Sequence, residues 1–367
     1  MVPTSLYDAV GAVTGDAGSI FFNNFIDPNY EAPQEWKLAL GGTWDTGFAG
    51  ITADIDLMFT RLEGGAIYID MSQEETSTTL AGAPIYTAIA GAGEGNLMLT
   101  NAKASGSGTI FSVVFNKDFD NGLDLMVGYA RTNVDEASPM TSFTGSSSFS
   151  NLASNDINFP RAATSNYEVK DRLTLRASFA RDFWGDNTTR ITLMGYYGTG
   201  QPGSYTISSE DAMQVGFSGR HLLYIPDGMS DPNVVYTANF MANDMTDFFA
   251  WIDQKGLKPG FLRRNSVTSK VSSRVDLRID QEIPLGVDGL KARVFLKVYN
   301  FTNLLNDDWG RQYDARFSSR SIVSLDEAAP LVGGAYNYDS FSGGSITDLQ
   351  EFHSLWQLRL GIDINFR

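Results

Sequence analysis

Histidine and cysteine, the side chains that most often build nucleophilic and metal sites, are almost missing from this sequence. The chain has 367 residues with no cysteine and only two histidines, His221 and His353. This composition excludes disulfide scaffolds, thiolate zinc sites and cysteine nucleophiles, and it leaves too few histidines for a histidine-built site. The sequence also contains no nucleophile elbow and no phosphate-binding glycine loop. We therefore predict a protein that is not an enzyme and has no cofactor or metal.

Acidic residues outnumber basic ones by 43 to 27, which gives a net charge of −16. Phosphate binding needs a basic face, so no nucleic-acid partner is expected. Oxygen side chains in the polar segments could bind calcium, but the sequence has no twelve-residue calcium loop. We interpret these residues as parts of solvated turns: Asp27, Asn29, Asp227, Asp231, Asn243, Asp244, Asp307 and Asp308.

Charged side chains recur at every second position in segments that are otherwise apolar. In the last segment the even positions from 356 to 366 are all apolar, whereas the odd positions include Arg359 and Asp363. Successive residues of a strand point to opposite faces, so this period places the charges on one face and the apolar side chains on the other. The candidate lumen-facing residues are Arg172, Arg176, Arg190, Arg274, Arg278, Arg293, Arg359, Asp276, Asp280 and Asp363.

The same alternation predicts nine strands along the chain. Short turns with Asp, Asn and Gly join the strands in pairs, as expected of hairpins. These turns lie at 45–47, 118–122, 182–188 and 284–289. Long segments rich in Ser, Thr, Gly, Asn and Asp separate the pairs, at 63–108, 132–168, 200–268 and 301–352.

A soluble β-sandwich would also show alternating strands, but three features favour a membrane protein. The strands are about 9–11 residues or longer, the length that crosses an outer membrane at a tilt. The connections alternate between short and long, and aromatic residues lie near the strand ends, as in the girdles of outer-membrane barrels. The candidate girdle residues are Trp36, Trp44, Phe59, Tyr129, Tyr197, Trp356 and Phe366.

The sequence therefore predicts an all-β fold, an antiparallel transmembrane outer-membrane β-barrel in a Gram-negative bacterium. The short turns are expected in the periplasm, and the long segments, together with residues 1–32, outside the cell. Aromatic residues of the long segments are expected to pack among themselves rather than contact a ligand, and residues 244–254 to form a short helix. The aromatic residues in question are Tyr205, Tyr224, Phe248, Phe249, Trp251, Trp309 and Tyr338.

Nine is an odd number of strands, whereas closed single-chain barrels of bacterial outer membranes have an even number. An open sheet would leave unpaired peptide groups in lipid, each costing several kcal/mol. The N-terminus also lacks the basic and apolar regions of a signal peptide. We expect the chain to be part of a larger barrel, either a fragment of one precursor or one half of a barrel split between two chains.

Six runs of residues resemble the late barrel of Oar-like TonB-dependent outer-membrane receptors. They are PNYEAPQEW at 28–36, GQPGSY at 200–205, HLLYIP at 221–226, FFAWID at 248–253, RVDLR at 274–278 and VYNFTNLLNDDWG at 298–310. The last run is similar to that family's penultimate strand and the loop that follows it. The resemblance implies that residues 1–367 are the C-terminal portion of a plugged barrel of about 22 strands. No plug or TonB box can be matched in this chain.

Two functions remain open at this point. The resemblance implies a component of a transporter, with the polar face either gripping the plug and tuning passage or forming ion pairs that solvate the wall. The expected partners are then outer-membrane lipid, the N-terminal barrel and plug, and the TonB complex through that missing portion. The alternative is a structural or adhesive surface protein whose loops bind an extracellular partner; a periplasmic protein partner is also compatible with this arrangement. The substrate is not readable from the sequence.

Overall fold

The computed structural model describes residues 23–90, 95–208, 219–286 and 290–366, and the side chains of residues 316, 365 and 366 lie outside that description. Nine strands of 10 to 14 residues form its main sheet. In chain order they are β1 (Gln34–Asp45), β2 (Ile51–Glu63), β3 (Ser107–Asp118), β4 (Leu123–Glu136), β5 (Asp171–Trp184), β6 (Asn187–Gly198), β7 (Ser272–Pro284), β8 (Leu290–Tyr299) and β9 (Gln357–Phe366).

Each long strand pairs with the next one along the chain, and every pairing is antiparallel. The prediction of nine long strands in an all-β, antiparallel fold is confirmed. Among the described residues, β1 and β9 each pair with only one long neighbour, so the sheet is open at both edges.

The short connections are tight turns that depend on glycine. In the turn between β3 and β4, the φ angle of Gly122 is +88°. A side chain there would also meet the carbonyl oxygen of Ala180 at 2.2 Å, because the amide of Ala180 donates to the Gly122 carbonyl. Only glycine combines this backbone conformation with so close an approach of the neighbouring strand. The turn between β7 and β8 lies partly outside the described residues, at 287–289.

The long connections contain much more secondary structure than the one short helix expected at 244–254. Short strands lie at Asn23–Ile26, Ala66–Asp70, Gln73–Thr78, Pro84–Ala88, Asn96–Asn101, Ala163–Thr164, Pro202–Ser208, Tyr224–Ile225, Val234–Tyr236, Gly260–Phe261, Val267–Thr268, Tyr313–Asp314, Ser319–Leu325, Leu331–Val332, Ala335–Phe341 and Asp348–Leu349. The helices are α1 (Gly145–Ser150), α2 (Ala238–Asn243), α3 (Met245–Lys255), α4 (Phe301–Leu305) and α5 (Glu351–Ser354). Helix α3 confirms the predicted helix at 244–254. Among the described helices, none is long and apolar enough to cross a membrane.

We call the described residues of 23–32, 64–106, 137–170, 199–271 and 300–356 the loop layer. Its largest core joins residues of the two C-terminal connections, for example Ile207, Phe248 and Tyr338, all fully buried. The strand Pro202–Ser208 pairs in parallel with Ser319–Leu325, although more than a hundred positions separate them. The main hydrophobic core of the chain therefore lies in the loop layer and not against the nine-stranded sheet.

Candidate functional site

The ten charged residues singled out in the sequence all lie on one face of the main sheet, which we call the polar face. The strand registers place Arg190 beside Asp280 on β6 and β7, and Arg293 beside Asp363 on β8 and β9. Arg172 and Arg176 lie on the same face of β5, and Arg274, Asp276 and Arg278 on the same face of β7. Arg359 lies beside Lys297 on β9 and β8.

Most of these charges form ion pairs. Arg274 Nε lies 2.7 Å from Asp276 Oδ1, and Arg278 Nη2 lies 2.6 Å from Asp280 Oδ1. Arg278 also comes within 3.9 Å of Asp363, which links β7 to β9. Charge-assisted pairs of this geometry hold their side chains in fixed orientations.

Two acidic residues that the sequence analysis missed complete the network. Asp124 on β4 lies 3.3 Å from Arg176 and 4.0 Å from Arg190. Glu282 on β7 lies 3.0 Å from Lys291 and 3.8 Å from Arg293. Both residues occupy positions in their strands that alternate onto the polar face, so the period-2 pattern is a signal that identifies them.

Aromatic rings on the polar face lie between the cations. The Phe295 ring has Arg278 at 4.5 Å and Arg359 at 5.9 Å from its centroid. It occupies the place that a side chain at Gly361 would need, since a Cβ there would lie 2.4 Å from the ring. On the same strand, the Tyr299 ring has Lys297 at 4.1 Å from its centroid. Each such contact contributes about 0.5–1 kcal/mol at an exposed site, so the rings add order to the face.

Among the residues that the structure describes, nothing covers the opposite face of the sheet, the apolar face. Leu38, Leu173 and Leu360 are 57%, 46% and 70% exposed. The same is true of further leucine, isoleucine and valine side chains along these rows, such as Leu40, Ile55, Val127, Leu175, Ile191, Leu193, Leu358, Ile362 and Ile364. Soluble monomers rarely expose a continuous apolar surface of more than a few hundred Å², so this face indicates an interaction with an apolar environment.

Aromatic side chains border the apolar face at both ends. At the loop end, where strands meet the long connections, lie Trp36, Phe59, Tyr129, Tyr197 and Trp356; at the turn end lies Trp44. The side chain of Phe366 lies outside the described residues. The structure adds Phe119, Phe183 and Trp184 at the turn end, all at least 40% exposed. These three residues fall within segments that the sequence pattern assigns to turns, so the alternation does not identify them.

Buried polar contacts tie the connections together in the loop layer. Arg220 lies over the Phe149 ring at 3.9 Å and donates to the carbonyl oxygen of Leu152 at 3.0 Å. Arg264 donates to the carbonyl oxygen of Ala137 at 2.6 Å. These two arginines join the connection before β5 to the one before β7, so the connections form one packed layer.

The aromatic residues of the loop layer pack mostly against one another, as predicted. Tyr205, Tyr224, Phe248, Trp251 and Tyr338 are buried in its core, and Phe249 packs against that core. Trp309 differs, because 54% of its surface is exposed.

Of the acidic side chains assigned to turns, Asp231 accepts hydrogen bonds from its own segment, whereas Asp27 and Asp244 also accept from Thr100 and Phe341 of other segments. Asp231 accepts from the amides of Asp227 and Asn233 at 2.7 and 2.8 Å. Burial raises the pKa of Asp231, but these bonds outweigh it and lower the pKa overall. In the described ranges, no group of three or more His, Asp or Glu residues is arranged to hold a metal ion.

His221 lies in the centre of the loop layer, with Nε2 2.8 Å from the Tyr336 hydroxyl. Burial lowers the pKa of His221 from 6.5 to about 3. The unfolded layer therefore binds a proton below pH 6.5 that the folded layer does not bind. As the pH falls below 6.5, the free energy of unfolding of the loop layer should decrease by about 1.4 kcal/mol per pH unit. At pH 5 the decrease is about 2 kcal/mol.

Protease cleavage within residues 199–271, compared at pH 7 and pH 5, measures this effect. His221→Gln should lose much of the pH dependence, and His353→Gln, at an exposed histidine, should keep it. Carboxylates titrate equally in both variants and cancel in the comparison. Equal pH dependence in the two variants would show that His221 does not carry the effect.

Comparison with known proteins gives no assignment: no family model matches this chain, and no curated protein matches it either.

Proposed function

We propose that this chain forms part of the wall of an outer-membrane β-barrel, with its apolar face toward lipid and its polar face toward an aqueous lumen. The observation that carries this proposal is the uncovered apolar face of nine antiparallel strands, opposite a face of ion-paired charges. A soluble sandwich would cover the apolar face with a second sheet, and the short strands of the loop layer instead enclose a core of their own.

The more specific proposal is a component of an Oar-like TonB-dependent receptor. Its support is the ordered resemblance of the six sequence runs, one of which spans the end of β8, the strand before the last. In this proposal the open edges of β1 and β9 pair with strands of the remaining N-terminal barrel, because unpaired peptide groups in lipid cost several kcal/mol each. In this proposal the plug belongs to that remaining portion, and the TonB complex is a partner that binds through it.

The polar face then contacts the plug. Arg278, Phe295 and Arg359 form a stack of cations and a ring across three strands, held by Asp280 and Asp363. Such a stack presents oriented donors to backbone carbonyls and carboxylates of a partner surface. Only the transporter proposal gives this stack a partner.

The loop layer favours the second candidate, a structural or adhesive surface protein. Its aromatic core and cross-connection arginines make a folded surface, which suits binding of an extracellular protein. The two candidates differ in the lumen: a plug contacting Arg278 supports transport, whereas an empty lumen and an occupied loop layer support adhesion.

Cysteine labelling of intact cells tests the proposed location, and the chain has no cysteine of its own. Glu327→Cys lies in the loop layer, and Asn121→Cys lies in the turn between β3 and β4; both positions are exposed. A membrane-impermeant maleimide should label the first variant on intact cells and the second only after the outer membrane is permeabilised. Labelling of both on intact cells would contradict the proposed orientation, and labelling of neither would contradict the surface location.

A further inference from the structure

A cavity of about 490 Å³ lies at the loop end of β7. Val271 and Val275, which share the parity of the apolar row of β7, line one side of it, and the exposed ring of Trp309 lines another. Its volume falls within the range of small-molecule pockets. The cavity therefore opens where the apolar face meets the loop layer.

Hydrogen bonds hold the walls of this cavity in place. Gln312 Nε2 donates to the carbonyl oxygen of Ser273 at 2.8 Å, and the amide of Tyr313 donates to Ser272 Oγ at 2.9 Å. These contacts fix the segment after Trp309 beside the loop end of β7. The cavity is thus formed before any ligand binds, which reduces the entropic cost of binding.

The lining carries a net positive charge in a chain of net charge −16. It contains Lys270 and Arg311 against one carboxylate, Asp308, whose Oδ1 lies 2.8 Å from Arg311 Nη2. Lys270 Nζ lies 5.5 Å from the centroid of the Tyr313 ring, and no carboxylate of the described residues lies within 4.0 Å of it. Lys270 therefore supplies the uncompensated charge.

We propose that this cavity binds the phosphate head group of an anionic outer-leaflet lipid on Lys270, with an acyl chain along Val271 and Val275. This inference rests on the proposed membrane location and adds a ligand class to it. An ammonium group beside the Tyr313 ring, in the same cavity as two valines of the apolar row, matches the pairing of phosphate and hydrocarbon in a lipid. A free phosphate would use the cation but would gain nothing from the valines or the indole.

A second cavity, of about 760 Å³, provides a matched control. Residues 60–64 and 102–107 line it, with Arg61 and Lys103 against Glu63. Lys103 Nζ lies 4.1 Å from the centroid of the Phe159 ring, so both lysines have an aromatic neighbour, but no aromatic residue lines this second cavity. It has the same balance of charges as the first cavity but no apolar wall suited to an acyl chain. Lys103 is therefore the appropriate control for Lys270.

The test uses the protein extracted from the outer membrane in maltoside micelles. Phosphatidylglycerol with brominated acyl chains should quench tryptophan fluorescence, and Trp309→Phe should remove the quenching seen at low lipid. Lys270→Gln should raise the half-saturating lipid concentration about tenfold, the loss expected for one charge-assisted contact. Lys103→Gln should leave that concentration unchanged.

Equal quenching by brominated phosphatidylcholine would overturn the proposed specificity for an anionic lipid. Displacement of phosphatidylglycerol by inorganic phosphate would assign the site to free phosphate instead. An equal effect of Lys103→Gln and Lys270→Gln would show that no specific site exists at β7. All three outcomes leave the cysteine-labelling result unchanged, so failure of this inference is distinguishable from failure of the proposed membrane location.

Discussion

If the sheet forms the proposed barrel wall, arginine in place of Leu193 should prevent assembly of the chain in the outer membrane, whereas arginine in place of Met194 should be tolerated. The two residues are neighbours midway along β6 and point to opposite faces. Leu193 lies between Ala177 and Leu277 in the apolar rows of β5 and β7. A charged residue on the lipid face near the membrane midplane costs about 2–4 kcal/mol, and one facing the lumen costs far less.

The exposed fractions of the two side chains do not predict that the two substitutions differ in this way. Leu193 is 38% exposed and Met194 is 55% exposed, so in water both would be surface positions. Surface substitutions usually change stability by less than about 0.5 kcal/mol. The amount of protease-resistant protein in outer-membrane fractions measures the difference. Normal assembly of Leu193→Arg would show that the apolar face does not contact lipid.

The long strands could be predicted from the sequence because each carries its own signal. A strand that is apolar on one face and polar on the other alternates with period 2, whatever its neighbours are. The third strand has the shortest apolar pattern, because Phe111, Val113 and Phe115 alone alternate, whereas the strand runs over Ser107–Asp118. Its ends pair with β2 and β4 through small and polar residues, for which tertiary pairing and not local pattern decides the length.

The polar face was predictable as a face but not as a network. The alternation along β7 places Arg278 on the polar face. It does not show that the closest partner of Arg278 is Asp280, which lies on the same strand. The contact between Phe295 and Gly361 depends on the register of β8 and β9, which the sequence does not state. The alternation within one strand does not determine which residues of the next strand lie opposite it. The contacts across strands therefore cannot be predicted from the alternation alone.

The loop layer could not be predicted as a folded unit, since its core forms between distant segments. The parallel pairing of Ser204 with Ser319 has no local signature, and its strands have few consecutive apolar residues. Composition rich in Ser, Thr, Gly and Asn indicated loops. The aromatic residues within these segments were the available signal, and they correctly indicated packing among themselves.

Alanine in place of Phe248 should open the loop layer and leave the nine-stranded sheet intact. Phe248 lies on α3, is fully buried, and has the rings of Phe341 and Phe240 at 5.3 and 5.5 Å between centroids. Removing a buried phenylalanine side chain costs about 3–5 kcal/mol, because the cavity it leaves collapses only in part. No described residue of the nine long strands lies in this core, so the sheet should behave as a separate cooperative unit.

Phe249→Ala is the matched control, since Phe249 is the next residue and packs only partly against the same core. Protease added to intact cells should cut residues 199–271 much faster in Phe248→Ala than in Phe249→Ala. Labelling of Asn121→Cys should still require permeabilisation in both. Equal cleavage of the two variants would mean that the aromatic core does not hold the connections together. Loss of the protein from the membrane in Phe248→Ala would mean that the sheet depends on the loop layer, although none of the described residues of the nine strands belongs to the aromatic core.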